Sequence, residues 1–326
     1  MQPSPHMQNT KVHSLTIEPL EEGYHFACPE CNSPLARRDE DSFVCPVDYV
    51  SYKKVDGIWR FLSPARAEHF QEFIEDYERI RHLEGRGSQD ADYYRSLPFV
   101  DITGRWQEDW QIRSRSYKTF VEKILVPFEY HLNRPVRILD VGAGNGWLSN
   151  RLASRGHSLV AIDLLLNEED GLGAWRYYTS KFLPIQAEFD HIPFLPGQFD
   201  LVVFNASFHY STEYMATLQE GLDKLVPGGR IVILDTPVFH SAESGEKMVR
   251  QREKYFISRF GIPSNRLPIR NFLTTEELKQ LAAAFGIRWT LLKPNYGLEW
   301  FVRKWGVRMK DRREPASFSI IIAHKT

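Results

Sequence analysis

The segment at residues 137–147, RILDVGAGNGW, constrains the fold of this chain more than any other part of its sequence. Its apolar residues predict a short buried strand that ends in Asp140, and residues 147–155 have the pattern of a helix. Between them lie three glycines, Gly142, Gly144 and Gly146. Glycine lets the backbone turn tightly and lets a ligand contact the main chain where a side chain would collide. The segment therefore predicts a strand, a ligand-binding turn and a helix.

The acid before the turn indicates the charge of the ligand. Asp140 would repel a pyrophosphate and attract a cation, and a dinucleotide site usually has its third glycine one residue later. S-adenosylmethionine (SAM) carries an α-ammonium and a sulfonium, so it fits. On these residues the chain resembles the class I SAM-dependent methyltransferases, whose first motif is a strand ending in Asp or Glu before G-x-G-x-G. An ordinary strand–helix connection and an NAD-binding turn are the alternatives.

Four later segments agree with this resemblance in order and spacing. Residues 158–163 (SLVAID) predict a second strand ending in an acid, Asp163, which can accept both ribose hydroxyls of an adenosine. Residues 187–194 (AEFDHIPF) resemble the acidic stretch that lies beside the adenine. Residues 198–210 (QFDLVVFNASFHY) predict a buried strand, and residues 225–235 (LVPGGRIVILD) resemble the family's Pro-Gly-Gly turn before its fifth strand.

The resemblance covers residues 133–240 and implies an α/β fold. We expect a Rossmann-like, seven-stranded mixed sheet flanked by helices, completed by strands at 288–293 and 318–323. It also implies a set of residues that contact SAM. These are Asp140, Gly142, Ala143, Gly144, Gly146, Trp147, Asp163, Leu164, Glu188, Phe189 and Asn205.

All three cysteines lie near the N-terminus, in a pattern that resembles a zinc ribbon. The segment 56–62 (DGIWRFL) is similar to the end of ribbons found at the head of many bacterial methyltransferases. The expected ligands are Cys28, Cys31, Cys45 and Asp48, and Asp48 stands where a fourth cysteine would be expected. His25 is an alternative fourth ligand. The other alternative is a metal-free ribbon held by packing of Phe26, Phe43, Tyr49 and Trp59.

The chain divides into three expected parts: a flexible lead with the ribbon at 1–62, a helical lid at 63–132, and a methyltransferase core at 133–326. Apolar residues from Phe70 to Ile80 follow the stripe of an amphipathic helix, and a second helix is expected at 114–132 after an irregular bridge. Five residues of the lid either line a substrate cavity or pack the lid onto the core: Tyr93, Tyr94, Trp106, Trp110 and Arg113.

Composition excludes several classes of protein. The net charge is −1, from 41 basic and 42 acidic residues, which argues against a surface devoted to nucleic acid. No apolar run approaches the roughly 20 residues that span a bilayer, and the first residues do not resemble a signal peptide, so a cytoplasmic location is expected. The basic, aromatic segment 300–313 is either a solvated helix or a contact with RNA or a membrane surface.

Methyl transfer from a sulfonium is a displacement at the methyl carbon, so the protein mainly supplies alignment. A base helps only when the acceptor must lose a proton. In the family the acceptor faces the end of the fourth strand, here residues 205–210. His209 is the expected catalytic base, with Tyr210 and then His240 behind it; the alternative is that His209 only packs beneath the methionine part of SAM.

The expected function is SAM-dependent methylation of a small-molecule or lipid-like acceptor. Asn205 is not followed by the Pro-Pro-Tyr/Phe element of amino-methylating enzymes, which favours O- or C-methylation. Two alternatives stay open. One is a ribosomal or transfer RNA base methyltransferase that holds RNA with its ribbon, and the other is a catalytically inactive SAM-binding scaffold.

Overall fold

The computed structural model describes residues 23–264, 266–297, 300, 306–307 and 313–325. Within these residues eleven strands form one sheet and two short strands form a second. The strands are β1 (Ala36–Asp39), β2 (Ser42–Val44), β3 (Ser51–Val55), β4 (Ile58–Arg60), β5 (Arg137–Val141), β6 (Ser158–Asp163), β7 (Leu183–Gln186), β8 (Phe199–Asn205), β9 (Leu225–Leu234), β10 (Val238–Phe239), β11 (Leu273–Thr274), β12 (Trp289–Leu292) and β13 (Ile320–His324).

Seven of these strands confirm the expected α/β fold. Their order is β7-β6-β5-β8-β9-β13-β12, and β13 is antiparallel to both of its neighbours while the first five strands run parallel. Strand β8 is buried along nearly its whole length, as expected for a parallel strand covered on both faces. Parallel strands bring their carboxyl ends to one edge, which places Asp140, Asp163 and Asn205 together.

The helices flank this sheet. They are α1 (Pro64–Leu83), α2 (Ala91–Ser96), α3 (Gln107–Phe120), α4 (Val126–Leu132), α5 (Trp147–Ala153), α6 (Tyr214–Lys224), α7 (Ala242–Phe260) and α8 (Thr275–Phe285), and a π-helical turn at Val121–Leu125 joins α3 to α4. The prediction of an irregular bridge between the two lid helices was partly wrong, because α2 and the start of α3 lie within this segment. The Asp90 side chain caps α2 by accepting a hydrogen bond from the Asp92 amide. Acidic residues occupy the first turn of α3, where they stabilise the helix by interacting with its dipole.

The ribbon does not form a separate sheet. Its last strand, β4, pairs in parallel with β7, through Trp59 beside Ile185 and Arg60 beside Gln186, so the ribbon extends the core sheet from seven to eleven strands. The seven core strands agree with the expectation, and the pairing of the ribbon with their edge was not expected. Aromatic packing continues across this junction, with Phe26 and Phe194 ring centres 5.2 Å apart. The proposed division at residues 62 and 132 stays a prediction.

Some expectations fall on residues outside the described ranges. These are the flexible lead at residues 1–13 and most of the basic segment 300–313. Among the described residues, no helix is both long enough and apolar enough to cross a membrane.

Candidate cofactor and acceptor site

A deep cavity lies where the carboxyl ends of β5, β6 and β8 meet helix α1. Its empty space is about 1060 Å³ with the open mouth included, a volume that suits a cofactor and a small acceptor. Nine of the eleven residues expected to contact SAM line this cavity: Gly142, Ala143, Gly144, Trp147, Asp163, Leu164, Glu188, Phe189 and Asn205. The other two, Asp140 and Gly146, do not reach its surface.

The glycine turn follows β5 and forms one wall. Gly142 has φ of 72°, and a Cβ there would lie 2.4 Å from the Cβ of Ser207. Gly146 also has a positive φ and begins α5; a Cβ there would lie 2.8 Å from the ring of Phe182. Close packing and backbone conformation therefore require glycine at both positions. Gly146 does not line the cavity, so its role is to shape the turn that begins α5.

Asp163, at the end of β6, links the second strand to the glycine turn. Its two carboxylate oxygens accept from the backbone amides of Gly144 (2.7 Å) and Leu165 (2.9 Å). Burial raises the pKa of Asp163 to about 6, although these amides act in the opposite direction. Each oxygen keeps a further lone pair, so the carboxylate can also accept hydroxyl groups from the cavity.

Asp140 lies behind the turn and is fully buried. Ser149 donates a hydrogen bond of 2.8 Å to Oδ2, whereas Oδ1 has no hydrogen-bond partner in the described part of the chain. Burial raises the pKa of Asp140 to about 7. A buried carboxylate with one open oxygen favours a nearby cation, since ion pairing would offset its desolvation.

Helix α1 closes the cavity from the side opposite the sheet. Phe70, Phe73 and Tyr77 face the cavity. Arg66 near the start of α1 donates to both oxygens of Glu188, with Nε to Oε1 at 2.8 Å. Burial would raise the pKa of Glu188, but hydrogen bonds from His191 and Arg66 outweigh burial and lower it.

A second contact fastens the other end of α1. Arg81 forms an ion pair with Asp170, in the loop after β6, and Glu78 accepts from the side chain of Asn167 at 2.8 Å. The helix therefore bridges the loops that follow β6 and β7. No sequence pattern near the glycine turn indicated these contacts, because α1 precedes it by more than 50 residues.

Tyr210 and His209 have opposite environments. Tyr210 lines the cavity, whereas His209 is buried behind it with Nδ1 at 3.3 Å from the hydroxyl of Thr236. Burial and the charges of Arg252 and Arg113 lower the pKa of His209 to about 3. His209 is therefore less basic than an ordinary imidazole and is not among the residues that line the cavity, so its role as the catalytic base stays a prediction.

For Tyr210, burial alone would raise the pKa, but the guanidinium of Arg252 outweighs burial and lowers it. His240 is exposed; its ring Nδ1 lies 3.4 Å from the hydroxyl of Thr275, and its backbone amide donates to Glu314 at 3.2 Å. Of the five lid residues considered for substrate contact, Arg113 lines the cavity. Tyr93, Tyr94 and Trp110 are buried in the core and Trp106 packs against it.

The ribbon brings its cysteines together. One ligand atom from each of Cys28, Cys31, Cys45 and Asp48 lies within 4.8 Å of the other three. The Cys31 and Cys45 sulfurs are 3.5 Å apart, and Asp48 Oδ2 is 3.3 Å from the Cys28 sulfur. His25 is not in this group and its backbone amide bonds Gln198 instead. Phe26, Phe43 and Trp59 are buried as expected, but Tyr49 is 81% exposed.

A family model described as "Methyltransferase domain" matches residues 110–291, more than half of the chain. A malonyl-[acyl-carrier protein] O-methyltransferase of Geobacter sulfurreducens is 28% identical over 221 residues, which are 65% of this chain and 71% of that protein. An uncharacterized methyltransferase of Staphylococcus carnosus is 24% identical over 207 residues, 61% of this chain and 95% of that protein.

Two solved structures are also similar. One is the 1,6-didemethyltoxoflavin-N1-methyltransferase of Burkholderia thailandensis with bound S-adenosylhomocysteine (SAH), at 17% identity and a TM-score of 0.44, covering 90% of this chain and 99% of that one. The other is the CurJ carbon methyltransferase, at 14% identity and a TM-score of 0.47, covering 81% and 72%. On the family match, the chain belongs to the methyltransferase-domain family and is a SAM-dependent methyltransferase.

Proposed function

We propose that this enzyme methylates a small-molecule or lipid-like acceptor on oxygen or carbon, inside the cavity between α1, α3 and the end of β8. The observation that carries the proposal is the shape of the cavity. Residues of the lid, Tyr77 and Arg113, face Tyr210 of the core across a space that adjoins the glycine turn. An acceptor enclosed there would meet the methyl group of SAM with little water present.

The proposed arrangement of SAM follows from the charges. Its methionine end lies at the glycine turn, with the α-ammonium toward Asp140, and its ribose hydroxyls donate to Asp163. Phe189 and the segment from Glu188 to Asp190 lie on the adenine side. The sulfonium methyl then faces Asn205 and Tyr210, where the acceptor attacks it.

Calorimetric titration of the full chain with SAM and SAH tests this proposal. We expect both ligands to bind, and Asp163→Asn to weaken each by roughly 10-fold or more, because the ribose would lose a charged acceptor. Asp92→Asn, on an exposed position of α2, is the matched control. No binding of either ligand to folded protein would refute the proposal, and equal affinity in Asp163→Asn would show that the ribose lies elsewhere.

An RNA acceptor is the weaker alternative. The described lysines and arginines of the ribbon are few, Arg37, Arg38, Lys53, Lys54 and Arg60, and the cavity is enclosed by α1. A scaffold without activity would bind SAM and transfer no methyl group. Release of SAH in the presence of a small-molecule extract, and not of ribosomal RNA, distinguishes the proposed function from both alternatives.

We also propose that the ribbon holds one structural zinc ion on Cys28, Cys31, Cys45 and Asp48. Zinc–sulfur bonds of about 2.3 Å in a tetrahedron place the sulfurs about 3.8 Å apart. The Cys31 and Cys45 sulfurs lie 3.5 Å apart and all four ligand atoms lie within 4.8 Å of one another, so the four groups fit such a site after a small adjustment. Zinc would supply structure here, not chemistry, because none of the four groups is among the residues that line the cofactor cavity.

A further inference from the structure

A second cavity adjoins the cofactor cavity and is surrounded by arginines. It lies between α1, α3 and α7, has about 900 Å³ of empty space with its open side included, and we call it the arginine cavity. The two cavities share Phe73, Tyr77, Arg81, Arg113 and Tyr210. A molecule in the arginine cavity can therefore reach the place where the methyl group of SAM is expected.

Three of the five arginines in this wall already have carboxylate partners. The ion pairs are Arg81 with Asp170, Arg86 with Asp109, and Arg266 with Asp76. Their positive charges are balanced within the protein, and they leave little capacity for an anion from outside.

Arg113 and Arg252 differ from these three. Within the described residues neither forms an ion pair with a carboxylate. Arg252 donates weakly to Tyr210 Oη at 3.5 Å and to Asn271 Oδ1 at 3.4 Å, and Arg113 lies over the ring of Trp110 at 4.9 Å. Burial raises the pKa of Asp235, and the positive charge of Arg113 nearby acts in the opposite direction.

Both guanidinium groups line the arginine cavity together with Tyr210. Each of them also contributes to lowering the pKa of His209, the residue before Tyr210. Glu84 also lines this cavity and raises the pKa of Arg252, but without an ion pair between them. The two partly buried cations thus lack an ion-paired carboxylate among the described residues, and an anion that joins them would stabilise them. A guanidinium presents planar, paired donors that match the oxygens of a carboxylate or a phosphate.

The geometry points to a binding site for an acidic group of the acceptor, a carboxylate or a phosphate, between Arg113 and Arg252 beside Tyr210. The inference rests on the proposed function, because the acceptor must occupy the cavity that adjoins SAM. It adds a substrate class, anionic acceptors, and two residues that select it.

A carboxylate held there can itself accept the methyl group. It is already ionised at neutral pH, so no base is required. One carboxylate oxygen forms a bond to the methyl carbon while the carbon–sulfur bond breaks, and the sulfonium keeps the electron pair as the neutral thioether of SAH. No proton moves, and a negative and a positive charge are both neutralised. This agrees with a site in which His209 is a weak base.

The test is calorimetric binding of malonate, malonamide and inorganic phosphate to the full chain saturated with SAH, at constant ionic strength. We expect malonate to bind and malonamide not to bind. Arg113→Gln and Arg252→Gln should each weaken malonate binding by roughly 10-fold or more, the range for a hydrogen bond to a charged group. SAH affinity should stay near wild type, and the Lys variants should keep part of the malonate affinity. Arg259→Gln, exposed on α7, is the matched control.

Each outcome has a distinct meaning. Tighter binding of phosphate than of malonate, lost in the same variants, supports the site and assigns it to a phosphate. Malonate that binds no better than malonamide, or equally well to the Gln variants, overturns the inference while SAM binding and the proposed function stand. Failure of SAH itself to bind overturns the proposed function instead. Melting temperatures of all variants show whether a loss of binding comes from unfolding.

Discussion

His209 and Tyr210 are neighbours in the sequence, and the local backbone determines which of their side chains faces the cavity. A continued strand would send the side chains of His209 and Tyr210 to opposite faces, and position alone does not say which one meets the substrate. Residues Phe208–Tyr210 instead form one turn of 3₁₀ helix directly after β8. This turn directs Tyr210 into the cavity and leaves His209 against Thr236.

We therefore predict different effects for two substitutions. Tyr210→Phe should lower methyl transfer by roughly 10- to 100-fold, because it removes a hydrogen bond to an acceptor oxygen that carries or develops charge. His209→Asn should fall well short of the roughly 10²–10⁴-fold loss that removing a general base causes. Transfer of tritiated methyl groups from SAM to an acceptor isolated from cell extract measures both. A larger loss in His209→Asn, with SAM affinity intact, would restore His209 as the base.

The raised pKa of Asp140 predicts that the stability of the ligand-free protein depends on pH. Its pKa is raised to about 7 in the folded chain, from 3.8, so its contribution to stability is fully present below pH 3.8 and is lost as the pH rises through 7. Asp140→Asn lacks this titration. The melting temperature of the variant minus that of wild type should increase from pH 5 to pH 7 and then level off.

Differential scanning calorimetry at several pH values measures this difference. SAM should reduce it at pH 8, because the α-ammonium would offset the buried negative charge. Parallel pH profiles of the two proteins would show that Asp140 does not titrate in this range.

At the scale of elements, α1 closes the site. Its first turn holds Glu188 through Arg66, and its last turns hold the loop after β6 through Arg81. Phe70, Phe73 and Tyr77 cover one side of the cavity. A change in one of these contacts would therefore widen the path by which SAM enters or leaves.

Arg66→Met should increase the dissociation rate of SAM by roughly 3- to 10-fold, in line with about 1 kcal/mol for a partly exposed ion pair. The neighbouring surface variant Arg79→Met is the control, because Arg79 is exposed on the same helix. Stopped-flow displacement of SAM measures the rate. An unchanged rate in Arg66→Met would mean that the Arg66–Glu188 contact does not limit release.

At the scale of the whole molecule, the ribbon and the core share one sheet and one hydrophobic cluster. The Tyr24 ring stacks on Phe199 of β8 with centres 5.1 Å apart, and Phe26 packs on Phe194. Unfolding the ribbon would expose these core rings to water, so the two parts should lose structure together.

We predict that metal chelation lowers the melting temperature of a single, shared unfolding transition. Removing the proposed zinc would weaken β1 to β4 and, through the β4–β7 pair, the edge of the core sheet. Scanning calorimetry of protein made without a metal-affinity tag, with and without chelator, is the measurement, together with metal analysis. The melting temperature of the Asp48→Ala variant should lie between those of the metal-bound and the metal-free protein. An unchanged transition in metal-free protein would show that packing alone maintains the ribbon.

Local sequence patterns determined the sheet and the residues of the proposed cofactor side of the site. An apolar run that ends in Asp140 or Asp163 specifies a strand and its polar end, and parallel strands always bring such ends to one edge. Glycine at 142 and 146 is required by backbone conformation and close packing, which are local demands that a sequence records directly. The cysteine spacing likewise predicted that Cys28, Cys31, Cys45 and Asp48 lie together.

Only the tertiary structure brought together the residues of the proposed acceptor side. Arg113, Arg252 and Tyr210 come from α3, α7 and the end of β8, and nothing in their separate neighbourhoods relates them. The direction of Tyr210 depends on one short turn. The two arginines without an ion-paired carboxylate among the described residues are recognised only once the partners of the other three are known. The burial of a side chain and the charges around it depend on every element that packs against it, so they are defined only once the chain is folded.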